Sequence, residues 1–341
     1  VGEYVNATGW SGWSSSTDGP MRMLYDCENV RTVLYPAKIN TPPMKAFRAP
    51  GFVEGTFGLG CLLDEVAAKL ALDPLAIPRL NYAHSIDERP YSSKNLMECY
   101  RRAEPHWQRR AEVRSRSDGP WKHGVGLASQ VWYGGGGPPS YAWVRVGSDG
   151  RATVITAMQD IGTGTATAMA QVAAEELGLP LDRIDIVLGD SARGPYSVTS
   201  AGSSTMPSMG PAVRSAAADA ARQIIDIAAQ RYDQEQRALT LEDGRVVSAD
   251  GGSWPLDEVV GLLEDAQILG QGARGPNPTG MQVLTFGVQV AEVAVDVETG
   301  EIRVERVAAI HDVGRVINPL SASSQVEGGI IQGIGHTLSE D

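Results

Sequence analysis

The sequence predicts an α+β protein of mixed sheets and hairpins with packed helices, and three observations carry that reading. First, Ala142 to Val146 and Ala152 to Ala157 alternate apolar and polar residues around Ser148-Asp149-Gly150, and Val288 to Val297 and Glu301 to Ala309 do so around Glu298-Thr299-Gly300. Alternation across such a turn marks a hairpin. Second, Leu59, Leu62, Leu63, Val66 and Leu70 recur at helical spacing. Third, two glycine- and hydroxyl-rich loops each lead into an alanine-rich segment, Gln159 to Leu177 and Ser197 to Ala221. Hairpins and helices fall in separate runs rather than in regular βαβ repeats.

Taken in order, residues 1 to about 45 alternate between Gly, Ser and Pro breaks, which predicts short strands and irregular connections. Pro42-Pro43 is a stiff extended piece ahead of Phe47-Arg48-Ala49-Pro50-Gly51. Glu54 to Leu72 is the amphipathic helix, and Asp73-Pro74 opens a second, short one ending near Asn81. Residues 84 to 120 carry Arg101-Arg102, Arg109-Arg110 and Arg114 with Arg116. That run reads as a solvated helical face; a nucleic-acid patch sits poorly with the acidic balance. Ser117-Asp118-Gly119-Pro120 reads as a linker, dividing a first domain, residues 1–118, from a second, 119–341. Lys122 to Tyr133 is a strand and Gly134 to Pro139 a loop. A helix over Thr165 to Leu177, a strand over Ile184 to Leu188 and a second helix reaching about Tyr232 follow. Gln325 to Gly335, apolar and Gly-rich, is a helix or its entry.

At 341 residues, 42% hydrophobic and 21% charged, the chain has the size and balance of about two globular domains. Its net charge of −12 argues against nucleic acid or an anionic membrane as partner. No run of eighteen apolar residues could span a membrane. The start, V-G-E-Y-V-N-A-T-G-W, has neither the parts of a signal peptide nor an initiator Met and reads as cut or processed. Cys27, Cys61 and Cys99 form no C-x-x-C pair and no disulfide framework, in keeping with a reducing, cytoplasmic setting. The histidines at 84, 106, 123, 311 and 336 offer no i,i+4 pair, so metal ligation by side chains is not expected. His311-Asp312 is read as a core polar pair rather than a catalytic dyad.

A helix N-terminus presents unpaired N–H groups and partial positive charge. Ser and Thr add hydroxyls there, and Gly lets a ligand approach the backbone. Gly162, Thr163, Gly164 and Thr165, and then Ser200, Ala201, Gly202, Ser203, Ser204 and Thr205, are therefore candidates for holding a large anionic ligand. Either loop alone could be a turn that merely starts a helix; the pair shifts the weight toward a ligand. In an acidic chain such a ligand is held by local dipoles rather than by a basic patch. There is no G-x-x-x-x-G-K-[ST] loop and no G-x-S-x-G elbow, and Pro138-Pro139 prevents the Gly134 to Gly137 run from opening a helix. Arg48 reads either as a surface ion pair or as a planar donor fork for a phosphate or oxo group.

Phe47-Arg48-Ala49-Pro50-Gly51, Asp160-Ile161-Gly162-Thr163-Gly164-Thr165 and the Ser200 to Thr205 loop together resemble the molybdenum-cofactor subunit of the xanthine oxidase/aldehyde oxidase family. So do Gly300-Glu301, His311-Asp312-Val313-Gly314-Arg315-Val316-Ile317-Asn318-Pro319, Gln325-Val326-Glu327-Gly328-Gly329 and Gln332-Gly333, in the same order, from near Val1 to Asp341. The resemblance implies the fold of the molybdopterin-binding domains of molybdenum hydroxylases. Residues 1–118 would be the C-terminal part of the first such domain, and 119–341 the second without its catalytic end. It implies a pyranopterin carrying molybdenum, in bacteria commonly the cytosine dinucleotide form, with the metal held by the pterin dithiolene. By position Arg48 and Ala49 match the family's F-R-x-x-G contact to the cofactor. Gly162 to Thr165 match its first cofactor loop, Ser200 to Thr205 its second, and Gln325 a glutamine that hydrogen-bonds the pterin.

Departures from the pattern matter too. Many relatives carry Gln where Thr163 stands. Purine-oxidising relatives carry a stacking Phe where Pro50 stands, which argues against a xanthine-type pocket, and the Cys-bearing loop of the carbon monoxide enzymes is not seen. The family's G-G-x-F-G loop is absent, and its glutamate base is expected beyond Asp341, so no catalytic residue is assigned here and the chain reads as the middle of a subunit. The implied function is part of a hydroxylase that oxidises an aldehyde or N-heterocycle with water as oxygen source. Its implied partners are iron–sulfur and FAD-bearing subunits or domains, the remaining parts of the molybdenum subunit, and a second copy in a homodimer. Two other readings stand beside it: a folded, catalytically inactive assembly module without cofactor, and a nucleotide-binding protein using the same helix ends for phosphate.

Overall fold

The computed structural model describes residues 16–35, 40, 47–263 and 267–340; Pro42-Pro43 and the first fifteen residues lie outside them. The helices are α1 (Gly19–Met23), α2 (Phe52–Leu70), α3 (Ala76–Leu80), α4 (Leu96–Gln108), α5 (Arg110–Ser115), α6 (Thr165–Leu177), α7 (Thr205–Tyr232), α8 (Leu256–Gly261) and α9 (Pro319–Leu338). The strands are β1 (Ser85–Ile86), β2 (Arg89–Pro90), β3 (Trp121–Tyr133), β4 (Tyr141–Val146), β5 (Ala152–Thr156) and β6 (Ile184–Leu188). They continue with β7 (Leu239–Glu242), β8 (Arg245–Ser248), β9 (Ser253–Pro255), β10 (Ile268–Ala273), β11 (Leu284–Asp296) and β12 (Ile302–Asp312). Mixed helices and several small sheets bear out the α+β expectation.

Two compact units divide the chain. One comprises Val1–Tyr133, Thr279–Gly314 and Ser324–Asp341, the other Gly134–Pro278 and Arg315–Ser323. These are units of packing, interleaved along the chain; the boundary expected after residue 118 divides the chain by order.

In the first unit, β11 is the centre of an antiparallel sheet ordered β12-β11-β3. It runs beside β3 in unbroken register from Leu284↔Tyr133 to Asp296↔Trp121. Against β12 the register shifts between Glu292 and Val293, a bulge. The expected hairpin thus forms with longer strands. Leu96, Tyr100 and Trp107 of α4 and Phe52 of α2 pack with Val131, Phe286, Val288 and Val290 of the sheet. The arginine-rich run does lie on helices. In α4, Leu96, Cys99, Tyr100, Ala103 and Trp107 are buried, while Arg101 and Arg102 pair with Glu98 at the surface. Residues 16–35, expected as short strands and irregular connections, hold the one-turn helix α1 and otherwise irregular chain. Pro20 sits in its first turn, where its fixed φ suits the helix and no N–H is missed.

Two charged side chains, one buried and one half-buried, stand out in this unit. Glu292, 3% exposed, receives Arg109 at 2.5 Å, with Arg116 at 3.8 Å and Arg306 at 3.9 Å. Lys94 donates through Nζ to the carbonyls of Leu24 (3.1 Å) and Ala83 (2.8 Å). Its ammonium also faces the rings of Tyr82, Tyr91 and Phe286 at 4.4, 4.6 and 4.9 Å.

The second unit has a four-stranded sheet ordered β10-β4-β5-β6. β10, β4 and β5 are antiparallel neighbours, whereas β5 and β6 are parallel. A parallel neighbour needs a crossover, which α6 supplies. Alternation in β4 sends Ala142, Val144 and Val146 inward and leaves Tyr141, Trp143 and Arg145 outward. The inward face packs with the alanine-rich sides of α6 and α7. Helix α7 lies directly on β10. A Cβ on Gly270 would stand 2.1 Å from the Ala216 carbonyl oxygen, and one on Gly272 2.2 Å from that of Ala212. Those two glycines also explain why β10 is hard to see in the sequence, since glycine is depleted in strands. A meander of β7, β8 and β9, likewise not expected, joins α7 to α8.

Candidate functional site

Because β5 and β6 run parallel, with Thr156 opposite Leu188, the segments that leave their carboxyl ends emerge at the same edge of the sheet. One leads to α6 and the other to α7, so both candidate loops sit where open α/β sheets receive ligands. In the first loop, Gly162 and Gly164 have φ of 92° and 80°. Gly164 is the residue before α6, in the left-handed region that side chains disfavour. Asp160 organises the turn. Its Oδ1 accepts from the N–H groups of Gly162 (2.9 Å) and Thr163 (3.2 Å), and its Oδ2 from that of Ala166 (3.1 Å). The Ala166 N–H leads the bonds that hold this carboxyl below the usual carboxylate range. The hydroxyls of Thr163 and Thr165 lie 3.3 Å apart.

The second loop is anchored to the first. The N–H of Ser200 donates to Gln159 Oε1 at 2.9 Å, and Ser200 Oγ donates to the Gln159 carbonyl at 2.7 Å. Gln159 Nε2 donates back to the Ala157 carbonyl at 2.8 Å. Ser200 is buried, while Ala201, Gly202 and Ser203 are exposed. Ser204 turns its hydroxyl to the Ala201 carbonyl at 2.7 Å instead of capping α7, and Gly164 has no side chain with which to cap α6. Both helices thus open onto the loops without closure by their own N-cap side chains.

In the first unit, Ala49 and Gly51 adopt left-handed φ of 54° and 80°, and the Phe52 N–H donates to the Ala49 carbonyl at 3.0 Å. This tight turn delivers Arg48 to α9. Arg48 Nη2 donates to the main-chain carbonyl of Gln325 at 2.7 Å, and Nη1 lies 3.5 Å from Gln332 Oε1. The structure therefore brings Arg48 and Gln325 together, through the backbone of Gln325. A Cβ on Gly329 would stand 3.2 Å from Arg48 Nη1 and 3.4 Å from its Cζ, so the glycine leaves room for the guanidinium.

His311 and Asp312 are not a pair. Successive strand residues point to opposite faces. His311 Nδ1 meets Gln130 Nε2 at 2.8 Å, whereas Asp312 accepts from the N–H groups of Asn95 (2.7 Å) and Gly314 (3.2 Å). Burial, with the charge of Arg48 added, holds His311 below the usual histidine range. Its Nε2 is buried without a hydrogen-bond partner. Gln159 and Asp160 were not singled out from the sequence as site residues. An Asp two residues before a Gly is a turn signal that could have marked Asp160; nothing local marks Gln159. Among the described residues no three His, Cys, Asp or Glu side chains cluster closely enough to hold a metal ion, and no helix is long and apolar enough to cross a membrane.

The fold is that of the molybdopterin-binding subunits of molybdenum hydroxylases. It superposes on quinoline 2-oxidoreductase from Pseudomonas putida 86 with a TM-score of 0.74 and 25% identity, covering 87% of this chain and 42% of that one. The chain belongs to the molybdopterin cofactor-binding domain family, whose models match residues 3–82 and 101–341. It is 32% identical to the aldehyde oxidoreductase molybdenum-binding subunit PaoC of Escherichia coli (strain K12), over 99% of this chain and 47% of that protein. It is 28% identical to the nicotine 6-hydroxylase large subunit of Paenarthrobacter nicotinovorans, over 96% and 44% respectively. The chain thus spans about half the length of these relatives.

Proposed function

We propose that this chain is the cofactor-holding part of a molybdenum hydroxylase that oxidises an aldehyde or N-heterocycle. The observation that carries this is the placement of both hydroxyl-bearing loops at the carboxyl ends of the adjacent parallel strands β5 and β6. The donor set fits an anionic pterin. Helix α7 offers backbone N–H groups at its N-terminus, while at α6 Asp160 already accepts those of Gly162, Thr163 and Ala166. Thr163, Thr165 and Ser203 offer hydroxyls, and no Cβ at Gly162 or Gly202 would meet an atom within 4 Å, so the backbone there can be approached. The family match favours this reading over an inactive assembly module.

The residues proposed to hold the cofactor are Arg48, Ala49, Gly162, Thr163, Gly164, Thr165, Ser200 to Thr205 and Gln325. When bound, the molybdopterin supplies the two-electron redox centre, with water the source of the oxygen added to the substrate carbon. What this chain contributes is binding and orientation. The α7 N-terminus offsets phosphate charge, Asp160 keeps the first loop folded, and Arg48 presents a fixed guanidinium. No general base is assigned within the chain. In this reading the cofactor is the cytosine dinucleotide form, residues 1–118 and 119–341 belong to successive molybdopterin-binding domains, and the protein is cytoplasmic. Electrons pass to iron–sulfur and flavin partners, in an assembly that includes the rest of the molybdenum subunit and a second copy.

The test is molybdenum and pterin content of the purified protein in its native assembly. Stoichiometric amounts of both are expected. Absence of pterin, or specific retention of ATP or NAD in its place, would overturn the reading.

A further inference from the structure

We infer that Gln159 is a positioning residue that sets the separation of the two helix mouths; the inference rests on the cofactor reading above. The bonds of this residue point in two directions. Its side-chain oxygen receives the Ser200 N–H at 2.9 Å and its main-chain oxygen receives Ser200 Oγ at 2.7 Å. Its amide nitrogen donates to the Ala157 carbonyl at 2.8 Å, just beyond the end of β5. The side chain is thus clamped on its own strand end and grips the start of the second loop, 41 residues further along the chain.

Of the other contacts at this end of the sheet, the Ala157 N–H crosses to the Pro195 carbonyl at 3.2 Å, five residues ahead of Ser200, and the rest do not fix the gap in the same way. Asp160 bonds within its own loop, and Ser204 bonds within the second. Ser200 Oγ also approaches Met158 Sδ at 3.0 Å, but sulfur is a weak acceptor. A ligand that engages both mouths is sensitive to their spacing, since hydrogen bonds weaken steeply with misalignment. Gln159 therefore acts on the ligand through Ser200 and the loop that follows, without needing to touch it.

The experiment uses the protein in its native assembly, produced in cells supplied with molybdate. Gln159→Met keeps the side-chain length and removes both amide hydrogen bonds. Expected are amide exchange at Ser200 faster by about fivefold, the factor for one ordinary hydrogen bond, a similar fall in molybdenum and pterin per chain, and an unchanged melting temperature. Gln159→Glu keeps an acceptor for the Ser200 N–H and is expected to retain slow exchange there, a measurement that stands even if Gln159→Met does not fold. Fast Ser200 exchange in Gln159→Glu overturns the proposal, as does full cofactor content in a folded Gln159→Met. Gly164→Ala separates the two levels. If it too keeps full cofactor, the reading of the loops fails and this proposal with it; if it loses cofactor while Gln159→Met does not, only the role given to Gln159 fails.

Discussion

Arg48 lies flat against the place where Gly329 has no side chain: a single Cβ there would come within 3.2 Å of Nη1. The guanidinium is held by the Gln325 carbonyl, and the bare turn of α9 gives it room. Gly329→Ala is accordingly expected to displace it, and Arg48→Ala to remove it. Arg48→Lys does not substitute, because an ammonium lacks the planar fork. Each variant should lower molybdenum and pterin content by about tenfold, the scale of a charged hydrogen bond. Metal analysis of purified protein reads this directly; wild-type content in all three would remove Arg48 from the site.

Asp160 should matter for the fold of the first loop before it matters for any ligand. Asp160→Ala removes the acceptor of three backbone N–H groups and is expected to cost about 1 kcal/mol locally, as for a lost helix cap. Faster amide exchange at Gly162, Thr163 and Ala166 is the check. Its carboxyl titrates below the ordinary range when folded. The support it gives is therefore complete above that range and is lost as pH falls through the lowered value. Protection of these three amides, relative to the unfolded chain at the same pH, should fall in acid, and that fall should be absent in Asp160→Ala.

For Lys94 the dependence on pH has the same sign but another origin, a penalty on the buried charge rather than support from a partner. Burial pushes its ammonium down to about 7, from an ordinary 10.5. Between those values the unfolded chain holds a proton that the folded chain has released, so this contribution to stability grows with rising pH. The urea midpoint of the wild type should climb between about pH 7 and pH 9 relative to that of Lys94→Met. Parallel curves for the two proteins would show that the aromatic rings and carbonyls hold the charge as well as water does.

Glu292 is the anchor of a charge cluster rather than one more surface pair. Glu292→Gln weakens the bond from Arg109, while Arg109 and Arg116 keep Glu112 as a partner, and is expected to destabilise the protein by on the order of 1.5 kcal/mol. Glu301→Gln, which removes only the exposed pair with Arg303, should change stability by less than about 1 kcal/mol. Equal effects in denaturant titrations would contradict the distinction.

Elements with a strong local period were legible. Helices α6 and α7 and strand β6 fall where the residues placed them, because alanine-rich helix formers and short apolar strands declare themselves within a few residues. β10 was not legible, since I-L-G-Q-G-A looks like a loop until α7 is laid across it. In residues 16–35 the irregular connections were legible and the helical turn was not: alternation suggested short strands, but Pro20 favours a turn of helix. At the site, the loops were visible as loops, whereas Gln159 and Gln130 gave no sign. Their roles come from residues far along the chain, Ser200 and His311, and such pairings exist only once strands have been assembled.

The bare backbone of β10 at Gly270 and Gly272 has one further consequence. It sets how deeply α7 settles onto its sheet. A methyl group at either position would have to lift a helix of 28 residues, and the first turn of that helix carries the Thr205 end of the second loop. Two absent side chains far along the sequence thus act as the shim under a lever, and the height of a ligand-facing loop is adjusted from a strand that no ligand needs to reach.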